Sequence, residues 1–378
     1  MKFTIKTDIL EKSLNMANLI VPKKSPLLAL EGIKIEVNNS NVTISTTDLE
    51  NEYIAVLDCE VFKEGKAVVP LKSIQQIVSK IDYPEVTIEL ADNKLLLSSF
   101  GFTAELTTID PSEYPEFTLS SSKFQTLLEI NSEELNEGIE SVVYSSSYPD
   151  DSNPVFAGIL FECKKNELSF VATDGSQLAV RKINTDCQEQ LKMIIPVKSL
   201  KVIQKYMEGK IEIQVENFEN PQTICFKNSS SFGEIKVVSK LIEGNFPEYK
   251  EVIPEEFEIT TVVSRKVLLD AIKRVMILSK SKELSGIVIF EISKNKMIVK
   301  SIESELGKAK EEIVLKKKAS KELTITFNGK FLESMLSSIK VDEIELNFID
   351  DSSPLKINFV DNEGFLYLLM PVRIAATV

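Results

Sequence analysis

The 378-residue chain contains no histidine and no tryptophan. Without an imidazole, catalytic triads built on a histidine base and histidine metal sites are excluded outright. Its four cysteines, Cys59, Cys163, Cys187 and Cys225, are scattered with no C-x-x-C spacing, which fits reduced core thiols better than disulfides or zinc ligands. A glycine-rich phosphate loop is also missing, and no cofactor or metal is expected. The longest apolar stretches, such as Met193–Val197 and Leu366–Val372, fall far short of a bilayer span. The opening Met1-Lys2-Phe3-Thr4-Ile5-Lys6 alternates like a strand and has no signal-peptide core. These absences together predict a soluble cytoplasmic protein.

What is present is ample core material, with 43% of residues apolar, in a chain too long for one hydrophobic core. The formal charge of −13 argues against nucleic acid coating the whole surface but leaves room for a local basic patch. Near its end the chain carries an apolar run, Tyr367-Leu368-Leu369-Met370-Pro371-Val372-Arg373, where polar residues are usual. Such a run either docks on its own domain or forms part of a binding groove.

The chain repeats. Gly32-Ile33-Lys34-Ile35 leads to Thr47-Asp48, and 126 residues later Gly158-Ile159-Leu160-Phe161 leads to Thr173-Asp174. Val69-Pro70-Leu71-Lys72-Ser73 recurs as Ile195-Pro196-Val197-Lys198-Ser199 at the same offset of 126 residues. A more diverged third copy holds Gly286-Ile287-Val288-Ile289 and Gly329-Lys330-Phe331. Tyr114-Pro115, Phe246-Pro247 and Met370-Pro371 close the three copies in turn. Several anchors holding one offset in one order make a threefold repeat the natural account.

Each copy opens with a strand and a helix. Asp8 with Glu11, then Asn131 with Glu134, have capping-box spacing, and a third helix starts near Ser264. Hairpins follow, with turns expected at Asn38-Asn39, Lys165-Asn166 and Lys294-Asn295. A second helix is predicted over 73–81, 199–207 and 330–339. Glu85–Leu90 and Glu343–Phe348 alternate as strands. The fold class is therefore α+β, each domain being two similar halves with helices to one side of antiparallel sheets.

This threefold pattern, Phe170-Val171-Ala172-Thr173-Asp174-Gly175, Ser239-Lys240-Leu241 running into Gly244-Asn245-Phe246-Pro247-Glu248-Tyr249, and the late Met-Pro-Val-Arg closely resemble the bacterial sliding clamp, the DNA polymerase III β subunit family. The resemblance covers the whole chain. It implies three tandem clamp domains, here 1–122, 123–253 and 254–378. It further implies a ring-shaped head-to-tail homodimer around double-stranded DNA, with helices inside and sheets outside. No chemistry is implied. Such a clamp tethers the replicative polymerase, is opened by a clamp loader, and serves other clamp-motif proteins of repair and replication control; no membrane partner is expected.

Three sets of residues follow. Lys198, Lys201 and Lys205 share one helix face, which in isolation reads first as a solvated face. The resemblance makes them DNA contacts, with Lys23, Lys24, Lys72, Lys273 and Lys280. The acidic helix with Glu133, Glu134, Glu137 and Glu140 departs from that pattern. Positions matching the family's partner groove, between domains two and three, are Leu160, Thr173, Gly175, Leu178, Pro247, Val252, Leu368, Leu369, Met370, Pro371, Val372 and Arg373. For Leu160 or Leu178 taken singly, plain core packing is the simpler reading. Ser176-Gln177 stands where relatives commonly have His-Arg, and Ala375–Val378 extends past the usual Arg-Ile. Leu106, Ile277 and Leu278 match the family's dimer interface.

Two other readings remain open on sequence alone: a peptide-binding scaffold that does not encircle DNA, and a hydrolase using Asp48 or Asp174. The second is weak, because no base or second carboxylate accompanies either aspartate, and Asp174-Gly175 reads as a turn capped by the aspartate.

Overall fold

The computed structural model describes residues 1–147, 153–230, 233–279, 286–304, 307–360 and 362–373. Its helices are α1 (Thr7–Ile20), α2 (Leu71–Val78), α3 (Ser132–Glu140), α4 (Val197–Tyr206), α5 (Arg265–Met276) and α6 (Gly329–Ser338). They fall in two series, α1, α3 and α5 opening the repeats and α2, α4 and α6 opening the second halves. Pro70 and Pro196 occupy the N-cap positions of α2 and α4, so these helices start two residues before the expected position. No described helix is long and apolar enough to cross a membrane.

The chain forms two compact units, one of Met1–Asn136 with Thr185–Glu243 and the other of Glu137–Asn184 with Gly244–Val378. The second repeat contributes to both. In the first unit, a five-stranded antiparallel sheet runs in the order Glu60–Lys63, Lys2–Lys6, Glu85–Ala91, Lys94–Ser99, Phe102–Thr107. An eight-stranded sheet runs Gln125–Asn131, Lys210–Val215, Thr223–Ser230, Gly233–Lys240, Asn51–Asp58, Asn41–Thr47, Gly32–Asn38, Gly65–Pro70. Helix α1 packs against both α2 and α4 and covers the strands with Leu10, Leu14, Ala17 and Ile20, all fully buried. That spacing is the apolar stripe of an amphipathic helix.

In the second unit the main sheet runs Gly158–Lys164, Glu167–Thr173, Gln177–Asn184, Asn362–Leu369, Leu355–Phe359, Glu343–Phe348, Ile259–Ser264. A four-stranded sheet runs Lys310–Val314, Lys296–Ser301, Ile287–Ser293, Leu323–Asn328, and α5 packs against α6. Phe161 and Phe170 meet edge to face at 4.6 Å in the core, and Phe290 and Phe327 do the same at 5.5 Å.

Two local expectations need correction. Asp8 does not cap α1: the N-cap is Lys6, and Asp8 sits in the first turn, accepting from the amide of Ile9. The amide of Thr7 is instead taken by the carbonyl of Pro84 at 2.9 Å, so a tertiary contact replaces the side-chain cap. The first hairpin turns at Asn39-Ser40, because Asn38 pairs with Asn41.

Helix α3 approaches its sheet through Gly138, where an added Cβ would lie 2.4 Å from the buried ring of Phe170. Alanine is the better helix former by about 1 kcal/mol, yet a ring locked in the core cannot yield cheaply. Gly138→Ala is therefore expected to destabilise the unit by about 1–3 kcal/mol, read as a lower urea midpoint; a raised midpoint would refute the packing account.

Candidate functional site

The site is built on one strand pair. Gln177–Asn184 lies antiparallel to Asn362–Leu369 with Leu178 opposite Leu368 and Gln177 opposite Leu369. The amide of Met370 donates to the Ser176 carbonyl at 2.9 Å, extending the pairing by one residue. Pro371 cannot continue the ladder, and the amide of Val372 turns to the Thr326 carbonyl at 2.9 Å.

Over this pair opens a cavity of about 220 Å³. Of the expected groove residues, Thr173, Gly175, Leu178, Pro247, Val252, Leu368 and Met370 line it together. Met370 and Val252 are exposed at 46% and 59%, an adaptable thioether and a branched side chain presented to solvent at one opening. Leu160 and Leu369 are buried away from the wall, Pro371 and Val372 are half-buried beside it, and Arg373 is exposed. Phe156, Ser176, Gln177, Glu248, Tyr249 and Pro354 complete the lining. Tyr249 was visible in the Phe-Pro-Glu-Tyr motif, whereas Phe156 and Pro354 come from loops that carry no periodic signal.

The floor is held by hydrogen bonds that engage both oxygens of the Asp174 carboxylate. Its Oδ1 accepts from the amides of Ser176 and Gln177 at 2.8 and 3.0 Å, and its Oδ2 from Gln177 Nε2 at 2.8 Å. Gly175 supplies the positive φ of 89° that the turn demands. A carboxylate engaged by its own turn in this way is a cap, and Asp174 is absent from the cavity lining. Gln177 is buried: its Oε1 accepts from the hydroxyl of Tyr367 at 2.8 Å, and its amide group also reaches the Tyr144 carbonyl at 3.3 Å. Burial pushes the Tyr367 phenol well above its ordinary pKa. Gln177 thus ties the Asp174 turn to Tyr144 and Tyr367, and Ser176 beside it is exposed.

The first repeat builds the same turn differently. Asp48 accepts from the amides of Glu50 and Asn51, and Asn51 occupies the position of Gln177. Where Leu178 faces Leu368, Glu52 faces Val238. Glu52 is only 2% exposed, and its carboxylate accepts from the amides of Leu119 and Ser120 at 3.0 and 2.8 Å. Leu119 packs on Val238 and Cys225, with Phe124 alongside. The chain's own connecting segment therefore fills the space that in the second repeat is open.

Most of the lysines expected to contact DNA stand on helices. Lys198, Lys201 and Lys205 are exposed on α4, Lys72 on α2, and Lys23 and Lys24 in the loop after α1. Lys198 pairs with Asp48 and also approaches the Ile20 carbonyl at 3.4 Å, while Lys205 lies over the ring of Tyr206 at 5.1 Å. Lys273 is exposed on α5 beside Arg274, which is tied to Glu311 by two hydrogen bonds. Lys280 lies outside the described residues, as does Ala375–Val378.

Leu106 is half-buried on Phe102–Thr107, an edge strand of the five-stranded sheet. Ile277 is 61% exposed just past α5, with Leu278 half-buried next to it. Lys310–Val314 is an edge strand of the four-stranded sheet, and its Val314 is 76% exposed. Open edges carrying apolar side chains invite pairing with another strand.

Sequence profiles of the DNA polymerase III beta subunit match the chain in series, the N-terminal domain over residues 1–119, the central domain over 129–248 and the C-terminal domain over 250–373. A curated beta sliding clamp of Rickettsia felis is 27% identical over 99% of the chain and the whole of that protein. That of Halalkalibacterium halodurans is 28% identical over the same shares. Among solved structures, the DNA polymerase III beta subunit of Thermotoga maritima is 32% identical with a TM-score of 0.89, covering 99% of this chain and 100% of that one. The DNA polymerase sliding clamp of Bacillus subtilis, at 24% identity, shares the fold with a TM-score of 0.90 over the same extents.

Gln177→Ala would strand the Tyr367 hydroxyl in the interior. A loss of about 1–3 kcal/mol is expected, measured by urea titration, and the further change Tyr367→Phe should recover part of it by removing the orphaned hydroxyl. No loss in the single variant would show that the floor does not depend on this network.

Proposed function

The chain belongs to the DNA polymerase III beta subunit family, and from that membership we propose that it is a non-catalytic sliding clamp which encircles double-stranded DNA and tethers the replicative polymerase. The three successive domain matches over nearly the whole chain carry this reading. Two chains closing head to tail would make the ring, and the edge strands at Leu106 and at Lys310–Val314, with Ile277 and Leu278, are the surfaces we assign to that closure. We divide the domains at 1–122, 123–253 and 254–378. Its place is the cytoplasm, on the nucleoid during replication.

A sliding protein needs many weak, sequence-blind contacts, which lysines on flexible stems make to phosphate. The exposed lysines of α2, α4 and the loop after α1 fit that need in a chain of net charge −13. The cavity between Met370 and Val252 is assigned to peptide segments of the polymerase, the clamp loader and other clamp-motif proteins of repair and replication control. Apolar anchors in a small pocket suffice for micromolar affinity, about −8 kcal/mol.

The topological test is retention on DNA. After loading, the protein should stay on nicked circular DNA and leave when the circle is linearised; retention indifferent to ends would favour the scaffold that never encircles DNA. Replacing Lys198, Lys201 and Lys205 by alanine should flatten the plot of log affinity against log salt by about 0.9 per lost phosphate contact. An unchanged slope would remove these lysines from the DNA interface.

A further inference from the structure

The groove has one wall that is thin. Pro247, Glu248, Tyr249 and Val252 line its one side, while Tyr249, Lys250, Ile253 and Phe257 line a second cavity of about 880 Å³. Tyr249 borders both. A segment with space on either side lacks the dense backing that fixes a core side chain. Its own backbone hydrogen bonds are local: the amides of Tyr249, Glu251 and Ile253 donate to Pro247, Glu248 and Lys250. Bonds of this kind shape the turn without fixing where it stands on the sheet.

The sheet supplies the tie through Glu162, a buried carboxylate on the strand Gly158–Lys164. Its Oε2 accepts the Tyr249 hydroxyl at 2.8 Å, and Lys250 Nζ donates to both carboxylate oxygens at 3.2 and 3.1 Å. Lys164 adds its charge at 3.5 Å, and Lys250 also stands over the Tyr249 ring at 5.3 Å. Burial opposes the charge on Glu162, yet hydrogen bonds from Tyr249 and Lys250 with the two lysine charges hold its pKa below the ordinary glutamate value. Tyr249 is driven the other way, by burial first and by Glu162 second, and stays a neutral donor. A charge-assisted hydrogen bond of this type is about twice as strong as a neutral one.

We propose that Glu162 is a positioning residue for partner binding: by holding the Tyr249 hydroxyl and the Lys250 ammonium, it sets the distance of the 247–252 wall from the Leu178–Leu368 floor and so the width of the groove. Glu162 is absent from the groove lining. Released, the wall has the second cavity to move into, and a groove of variable width loses affinity through the entropy of reordering. The proposal rests on the groove being the partner site.

The test uses the full-length chain and the same organism's immobilised replicative polymerase subunit, with binding read by surface plasmon resonance. Glu162→Ala and Tyr249→Phe are each expected to weaken binding about tenfold, chiefly through faster dissociation. Glu162→Gln, whose amide oxygen still accepts from Tyr249, should lose less. The double variant should be no weaker than Glu162→Ala alone, because both changes cut one link. A fluorine probe, 3-fluorotyrosine at position 249, should change its ¹⁹F shift in Glu162→Ala, while far-UV circular dichroism of both variants stays that of the parent at the assay temperature. Additive losses, or unchanged binding in Glu162→Ala, overturn the proposal.

Met370→Asp in the same assay separates the two readings. If Met370→Asp abolishes binding and Glu162→Ala leaves it intact, the positioning role alone falls. If Met370→Asp binds normally, the groove assignment falls, and an unmoved ¹⁹F signal then overturns the wall tie as well.

Discussion

Everything in the candidate groove depends on one backbone pairing, that of Gln177–Asn184 with Asn362–Leu369. A strand in a sheet must give its amides and carbonyls partners on both sides, and here the partner comes from nearly two hundred residues along the chain. The same device operates in the first unit, where Gly233–Lys240 lies beside Asn51–Asp58. These pairings join the last strand of one repeat to the fourth of the preceding one. They place the apolar run near the chain's end opposite Leu178, where no local preference would have sent it.

Much of this was legible because a repeat states its pattern more than once. The hairpin turns at Lys165-Asn166 and Lys294-Asn295, the strand Glu343–Phe348 and the capping turn at Asp174 follow from local rules of alternation and turn chemistry. Asp8 misled because helix capping is settled by whichever acceptor reaches the first amides, and the Pro84 carbonyl reached that of Thr7 from the turn before the strand Glu85–Ala91. In the groove, neighbours in sequence parted company. Leu368 and Met370 meet the cavity, while Leu369 turns into the core, as strand alternation requires. Phe156 and Pro354 were not readable, since loops bring them in through tertiary packing alone.

The charge of −13 and the basic faces of α2 and α4 are compatible because the acidic residues lie outside those two helices. Many acidic residues sit on strands, paired across the sheet with lysines, as in Lys227 with Glu234 and Lys296 with Glu312. Exposed pairs of this sort add little stability. They do keep sheet surfaces electrically quiet, while α2 and α4 carry lysines without acidic residues inside the helix. A net count over the whole chain is blind to that segregation.

Glu52 has a consequence for valency. Repeating a fold repeats its concavities, and a chain with three copies of one architecture would by default offer several equivalent docking places. Where the next repeat has Leu178, the Glu52 carboxylate accepts from the amides of Leu119 and Ser120, and the chain's own leucine packs on Val238 and Cys225. On the proposed reading of the groove, docking is thereby uncoupled between the first two repeats, and partners that share the groove beside Leu178 take turns there.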